Sequence, residues 1–482
     1  MHLSVSMRVL GLLLMIFSSA MIPPLVMALV ANDHTITAFL AAMSITFFSG
    51  FVLWLPFRGA KHELRIRDGF LITALFWIVL GLFGALPFAL AESPHLSPAK
   101  AIFESISGLS ATGATVTVGL DNLPQSILLY RQLLQWMGGI GIIVVAVAVL
   151  PMLGVGGMQL YRAETPGPSK DSKLTPRITG TAKALFSVYV ALTMACALAY
   201  YVAGMSGFDA ICHAFSTVAL AGFSTHDESM GFFNNDTILF ISSLFMTISA
   251  INFGLHYIAW RNRSMAAYRK DSETKFFLTV LGLIITISAV HLTLSGHLPA
   301  WDSFVHGLFH TISIVTTTGY STKEYEMWPT FLPILLFLGS CMGGCVGSTG
   351  GGIKAMRLML IYKQGVRELK QLVHPQAIIP LKVGNRRVEA TVVSAVWSFF
   401  AVYVTSYIFL LLALMGTGLD FTSAFSAVAA SLNNLGIGLG QVSNNFSEIS
   451  EPAMAIMSFA MLLGRLEIFT LLVLFTPTFW RP

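Results

Sequence analysis

Four glycines, Gly113, Gly222, Gly319 and Gly436, close four short runs rich in small, hydroxyl-bearing and apolar residues: Ser105 to Thr115, Phe215 to Thr225, Ile312 to Thr322 and Ala427 to Gly438. They stand 109, 97 and 117 residues apart, a near-constant period that marks an internal repeat. Glycine lets the backbone turn so that successive carbonyl oxygens line up, and oxygens so placed can replace the hydration shell of a monovalent cation. The pairs Thr112–Gly113, Ala221–Gly222, Thr318–Gly319 and Leu435–Gly436 are the candidate coordinating backbone. One such run alone reads as a small-residue helix contact; four in register read as a filter for potassium.

Two further oddities bear on the same chemistry. From Gly339 to Gly352 seven of fourteen residues are glycine, including Gly343, Gly344, Gly347, Gly350, Gly351 and Gly352. Each costs a helix about 1 kcal/mol relative to alanine, so a loop is expected inside an apolar run. The run does not fit a phosphate-binding loop, because Ile353 separates Gly352 from Lys354 and no strand precedes it. Arg465 lies deep in the last apolar run, where insertion of an arginine costs roughly 2.5–3.5 kcal/mol. It requires a wet or paired setting. Glu467, two residues on, falls on another helix face, so a partner on a different segment is expected. Either Arg465 is a salt bridge that ties helices together or it places a positive charge below the filter.

These residues need a scaffold, and the composition names its solvent. The chain has 482 residues, 55% hydrophobic and 11% charged, with a mean hydropathy of +0.75, which places it in lipid. The first apolar run, Val9 to Val30, is too long for a secretory leader despite Arg8 before it and Ser18 to Ala20 within it. With Ala38 to Phe57 it forms a helical pair. Further pairs are predicted near 68–90 and 127–150, 182–204 and 237–260, 274–295 and 330–362, and 390–415 and 453–479, ten crossings in all.

Between the members of each later pair lies one glycine-ended run, too short to cross and return. Ser97, Asp209, Asp302 and Asp420 are the expected helix caps before them. The fold predicted is all-α: ten transmembrane helices and four re-entrant pore helices in four pseudo-fourfold helix, pore-loop, helix repeats. Residues 1–60 form the N-terminal pair, 61–160, 161–263, 264–380 and 381–482 the repeats, the third carrying the glycine-rich loop. Free carbonyls are tolerated at membrane depth only around a wet cavity, so the four runs should face one another. Their helix C-termini would then present partial negative charge to a cation.

Charge sets orientation. Arg58, Lys61, Arg65 and Arg67; Arg162, Lys170, Lys173, Arg177 and Lys183; Arg261, Arg263, Arg269, Lys270 and Lys275; and eight bases from Lys354 to Arg387 hold 22 of the 28 Lys and Arg residues. The positive-inside rule makes these loops cytoplasmic, with both termini. Asp227, Glu228, Asp236, Glu324, Glu326, Glu448 and Glu451 fall in the alternate loops, where they either concentrate cations or simply keep the loops wet. The four cysteines, Cys196, Cys212, Cys341 and Cys345, read as small core residues, and no transition-metal ligand set is expected.

The runs around Gly113, Gly222, Gly319 and Gly436 resemble the four filters of the Trk/Ktr/HKT cation transporters, the match being nearest the TrkH-type bacterial members that carry an extra N-terminal helix pair. The resemblance covers nearly the whole chain. It implies potassium uptake through the inner membrane, glycine at all four key positions as in potassium-permissive members, and a gate below the filter made of the glycine-rich loop and Arg465. It also implies a homodimer and a cytosolic TrkA-type partner that binds nucleotide, leaving this chain with no cofactor of its own and no nucleic-acid partner. The fourth run departs from the others, with Gly438 where they have Thr115, Ser224 and Ser321. A membrane enzyme is not expected, since no acidic or histidine cluster gathers at one face; His213 and His310 in the pore helices read as packing residues. A sodium- or proton-coupled secondary transporter is the alternative, with Arg465 its one mid-membrane charge.

Overall fold

The computed structural model describes residues 3–60, 66–141, 178–322, 325–384 and 386–481. Its N-terminal helices pair through glycine. Leu3–Ser18 meets Ile36–Trp54 where Gly11 faces Gly50, and a Cβ on Gly11 would lie 2.6 Å from the Gly50 oxygen. The two backbones touch, which is how helices associate where lipid supplies no hydrophobic drive.

Among the described residues six helices are long and apolar enough to cross a membrane: Leu3–Ala31, Ile36–Phe57, Arg67–Leu90, Ala182–Val202, Ser272–Leu294 and Ala390–Gly416. The expected straight crossings at 237–260 and 453–479 are instead bent pairs. Asp236–Ser249 turns through 93° into Phe253–Asn262, and Glu451–Arg465 turns through 108° into Phe469–Phe475. Counting each as one span gives up to eight. The expected 330–362 crossing is a helix, Phe331–Ser340, an irregular stretch, and a second helix, Ala355–Val373. The 127–150 crossing starts as Gln125–Ile140; the rest of it, the 160/161 repeat boundary, Lys61, Arg65, Arg162, Lys170, Lys173, Arg177 and Glu324 lie outside the described residues.

Four shorter helices precede the four glycines: Pro98–Leu109, Gly207–Ala219, Ala300–Val315 and Phe421–Leu432, hereafter the first to fourth pore helices. At 12 to 16 residues they rise roughly 18–24 Å, short of a full crossing. Ser97 and Asp420 cap the first and fourth, Asp420 accepting from Thr422 N at 3.0 Å. The other two caps differ from expectation. Ser206 caps the second pore helix, accepting from Asp209 N at 3.1 Å while its hydroxyl donates to Asp209 Oδ2 at 2.7 Å, a reciprocal capping arrangement. Pro299 stands at the cap of the third with no side-chain bond, and Asp302 lies in its first turn. Either way an acid sits where the helix dipole is positive.

The apolar core has two large halves. One draws mainly on the N-terminal pair and residues 72–134 and 399–471, the other mainly on residues 188–355, with Ala429, Leu435 and Leu439 joining it. Where the two halves meet, the buried residues are small: Ala111, Ala219 and Ala221. Outside the helices the described β structure is the hairpin Lys382–Val383 with Arg386–Arg387.

Candidate functional site

The four glycines close a ring. Each has positive φ, +86° at Gly113, +78° at Gly222, +87° at Gly319 and +85° at Gly436, a conformation that side-chain-bearing residues rarely adopt. Each also faces the carbonyl of the next run. A Cβ on Gly113 would lie 2.0 Å from Ala221 O, on Gly222 2.2 Å from Thr318 O, on Gly319 1.9 Å from Leu435 O, and on Gly436 2.2 Å from Thr112 O. All eight residues singled out from the sequence thus meet in one circuit. Glycine is required twice at every junction, for the backbone angle and for the space.

Side chains brace the ring from behind. Glu104 in the first pore helix and Arg131 in the following helix form a fully buried ion pair, Nε to Oε1 2.8 Å. Glu104 also accepts from Thr115 Oγ1 at 2.9 Å and Val116 N at 2.9 Å, and Arg131 donates to Ser224 O at 3.0 Å, so the pair clamps the first run to the second. Gln135, one turn on, donates to Ala221 O at 2.6 Å and accepts from Phe223 N at 3.1 Å. Asn434 donates to Thr112 Oγ1 at 2.9 Å, joining the fourth run to the first. His213 and His310 pack as expected, buried and hydrogen-bonded to Ser224 Oγ at 3.0 Å and Thr322 Oγ1 at 3.0 Å. The Glu104–Arg131 clamp is the part that sequence reading missed. Its signal was the same as for Arg465: an arginine in an apolar run, here with a glutamate in the adjoining pore helix.

The fourth run differs for a visible reason. Gly438 lies against Val442, where an added Cβ would be 2.5 Å from Val442 Cγ2, and its carbonyl accepts from Tyr325 Oη. The hydroxyl bonds that Thr115 and Ser224 make have no counterpart there.

On the side of the ring toward the pore-helix C-termini lies the glycine-rich loop, residues 341–354. It touches three of the four runs. Gly351 N donates to Thr317 Oγ1 at 2.8 Å, Gly352 N to Asn433 O at 3.2 Å, and Thr349 Oγ1 to Val218 O at 2.9 Å. A Cβ on Gly351 would lie 2.0 Å from Asn433 O, and one on Gly343 2.0 Å from Gly351 O, so these two glycines permit the fold-back. Gly344 and Gly347 lie against Ala250 and Asn252 at the bend of the second repeat, Gly350 against Thr316, and Gly352 against Ser340.

Arg465 adds a contact with the helix Gln125–Ile140. It is the last residue of Glu451–Arg465, at the bend rather than inside a continuous helix. Its guanidinium donates to Thr349 O of the loop at 3.3 Å, to Gly139 O at 2.9 Å and to Gly138 O. Glu467 takes a different partner, Arg357 after the loop, at 2.5 Å. The loop and Arg465 together reach the second, third and fourth runs and the helix that follows the first, beneath the ring.

On the other side, a cavity of about 630 Å³ is lined by Asp227, Glu228, Ser321, Thr322, Tyr325 and Ile437 among others. Ser321 and Ile437 follow the ring within two residues, so the cavity opens directly above it. Beside it His226 joins the segment after the first run to the second pore helix, Nδ1 to Asp121 Oδ1 2.5 Å and Nε2 to Asp209 Oδ1 3.4 Å, with its ring stacked on Phe232 at 3.5 Å. Burial works against its charge, but the hydrogen bonds to Asp209 and Asp121 outweigh it and hold the imidazole above its usual pKa.

Comparison with known proteins adds three findings. The TrkH family profile, described as a cation transport protein, matches residues 35–481. The Trk system potassium uptake protein TrkH of Halomonas elongata is 52% identical over 481 residues, and that of Escherichia coli K12 51% over 482, each comparison covering 100% of both chains. The crystal structure of the potassium transporter TrkH from Vibrio parahaemolyticus superposes with a TM-score of 0.91 at 48% identity, covering 100% of both chains.

Proposed function

Because the chain belongs to the TrkH family of cation transport proteins, we propose that it takes up potassium through a central pore whose selectivity filter is the four-glycine ring. The observation that carries this reading is the cyclic packing of each glycine on the carbonyl of the next run. That packing holds a belt of backbone oxygens rigidly around one axis, the arrangement that trades a hydration shell for carbonyls. The bound ion is cargo, held at Thr112, Gly113, Ala221, Gly222, Thr318, Gly319, Leu435 and Gly436.

The loop and Arg465 are the closed gate. A guanidinium beneath the filter repels a cation in a low-dielectric passage, and the loop fills the space beside it. The basic loops put the gate on the cytoplasmic side of a bacterial inner membrane and the acidic vestibule outside, with both termini cytoplasmic. The four repeats run 61–160, 161–263, 264–380 and 381–482 behind the 1–60 pair. The basic segments Arg162 to Lys183, Arg261 to Lys275 and Lys354 to Arg387 receive a cytosolic, nucleotide-binding partner of the TrkA type, and the working unit is a homodimer. Charge reversal in all three segments should abolish partner pull-down.

The alternative is uptake coupled to sodium or protons. Rubidium flux into vesicles holding the purified chain decides between them. Flux that follows the rubidium gradient alone supports the pore; flux that requires a sodium or proton gradient overturns it.

A further inference from the structure

Glu273 stands in the first turn of Ser272–Leu294 and is 4% exposed. Its Oε1 accepts two backbone N–H groups, Val346 at 2.8 Å and Met356 at 3.0 Å. Val346 lies within the glycine-rich loop, and Met356 is the second residue of the helix that resumes after it. One buried carboxylate oxygen therefore gathers the middle of the loop and its exit to a single point.

Between those two attachments lie Thr349, Gly351 and Gly352, the residues that reach Val218, Thr317 and Asn433 beneath the ring. Two neutral backbone bonds also hold the loop, Cys345 N to Ala250 O at 2.8 Å and Phe253 N to Gly347 O at 3.0 Å. Among the described residues Glu273 is the one carboxyl side chain that accepts from the loop backbone, and a single oxygen of it takes two N–H groups at once.

The position of Glu273 in the chain is equally specific. Asp271, two residues before it, fixes the helix start by accepting from Thr274 N and Thr274 Oγ1, both at 2.7 Å. Arg269 and Lys270 lie immediately before that and are exposed. The basic segment and the loop are thus connected through one turn of helix.

We propose that Glu273 is the positioning residue of the gate: it holds the loop shut under the ring, and a shift of the Arg269–Lys275 segment releases it. The role rests on reading the loop as the gate. Removal of the carboxylate frees the loop without touching the ring or Arg465. Retention of an acceptor oxygen in glutamine preserves the attachment in weakened form.

The test uses the full-length chain in vesicles, as Glu273→Ala and Glu273→Gln. Cys345, fully buried in the loop, reports loop position through alkylation resolved by peptide mass spectrometry, and rubidium flux without partner reports the gate. Glu273→Ala should raise both Cys345 alkylation and basal flux by about tenfold, the effect of losing about 1.4 kcal/mol of closure. Glu273→Gln should stay within about threefold of wild type in both. Alkylation raised with flux unchanged would support the attachment and overturn the loop as gate. Alkylation at the wild-type level in a folded Glu273→Ala protein would overturn the attachment, while a flux increase in Arg465→Ala would leave the gate reading standing.

Discussion

Substituting Gly319 by alanine introduces one methyl group at the tightest junction of the ring. The new Cβ would stand 1.9 Å from Leu435 O, where ordinary contact begins at 3.4 Å, so that carbonyl must retreat by about 1.5 Å. The backbone adds strain of roughly 1–2 kcal/mol, because φ at Gly319 is +87°. Leu435 O is itself a member of the ring, so if the ring is the filter as proposed, an oxygen leaves the coordination shell as the strain is relieved. If that oxygen is worth about 1.5–3 kcal/mol to a dehydrated potassium ion, as for hydrogen bonds to charged groups, the potassium preference falls by about 10- to 100-fold. Sodium keeps more of its water and loses less, so the permeability ratio moves toward sodium. The assay is competition of sodium with rubidium flux in vesicles, for Gly319→Ala and for Gly319→Ser. Gly296→Ala is the control: φ there is +66° and nothing lies within 4 Å of an added Cβ, so it carries the backbone strain alone. A Gly319→Ala protein that folds, conducts and discriminates as wild type does would remove the ring from selectivity.

Three further outcomes are expected. Arg465→Ala, and separately deletion of Met342 to Ser348, should raise basal rubidium flux in the absence of the partner; reduced flux from folded protein would make Arg465 a structural tie. Arg131→Ala leaves Glu104 as a fully buried unpaired carboxylate, a loss of about 3–5 kcal/mol, and should cost most of the monodisperse protein on size exclusion; normal yield and melting would refute the clamp. His226 has a folded pKa raised above its unfolded value, so the stability from its pairs with Asp121 and Asp209 is complete below about 6.5 and is lost as pH rises through the raised value. Being near the surface, the pairs are worth about 0–1 kcal/mol, so the wild type should melt slightly higher at pH 6 than at pH 8 relative to His226→Gln; identical pH dependence in the two proteins would show that the bridge contributes nothing.

Much of this architecture is legible in the sequence because glycine is informative where the backbone must do something unusual. The ring glycines and the break between Phe331–Ser340 and Ala355–Val373 announce themselves by composition. The bends after Ser249 and Arg465 do not. At the latter the turn is made by Glu467 and Ile468 at φ +52° and +56°, residues with no turn chemistry of their own, held by surroundings that no local pattern encodes. Asp209 is also instructive: its place ahead of the glycine run suits a helix cap, yet Ser206 three residues earlier takes that role and Asp209 answers it from inside the helix. Glu104 and Arg131 were each visible but lie 27 residues apart on different elements, and only the fold makes them one object.

The cyclic packing also dictates an order of biosynthesis. Three junctions of the ring can form as soon as neighbouring runs are inserted, but the fourth sets Gly436 against Thr112, residues 324 positions apart. Until the fourth pore loop emerges, the edges at Thr112 and Gly319 have no partner, and polar backbone lies open inside the bilayer. Insertion must therefore hold three quarters of the ring in waiting, sheltered from lipid, until Gly436 closes it.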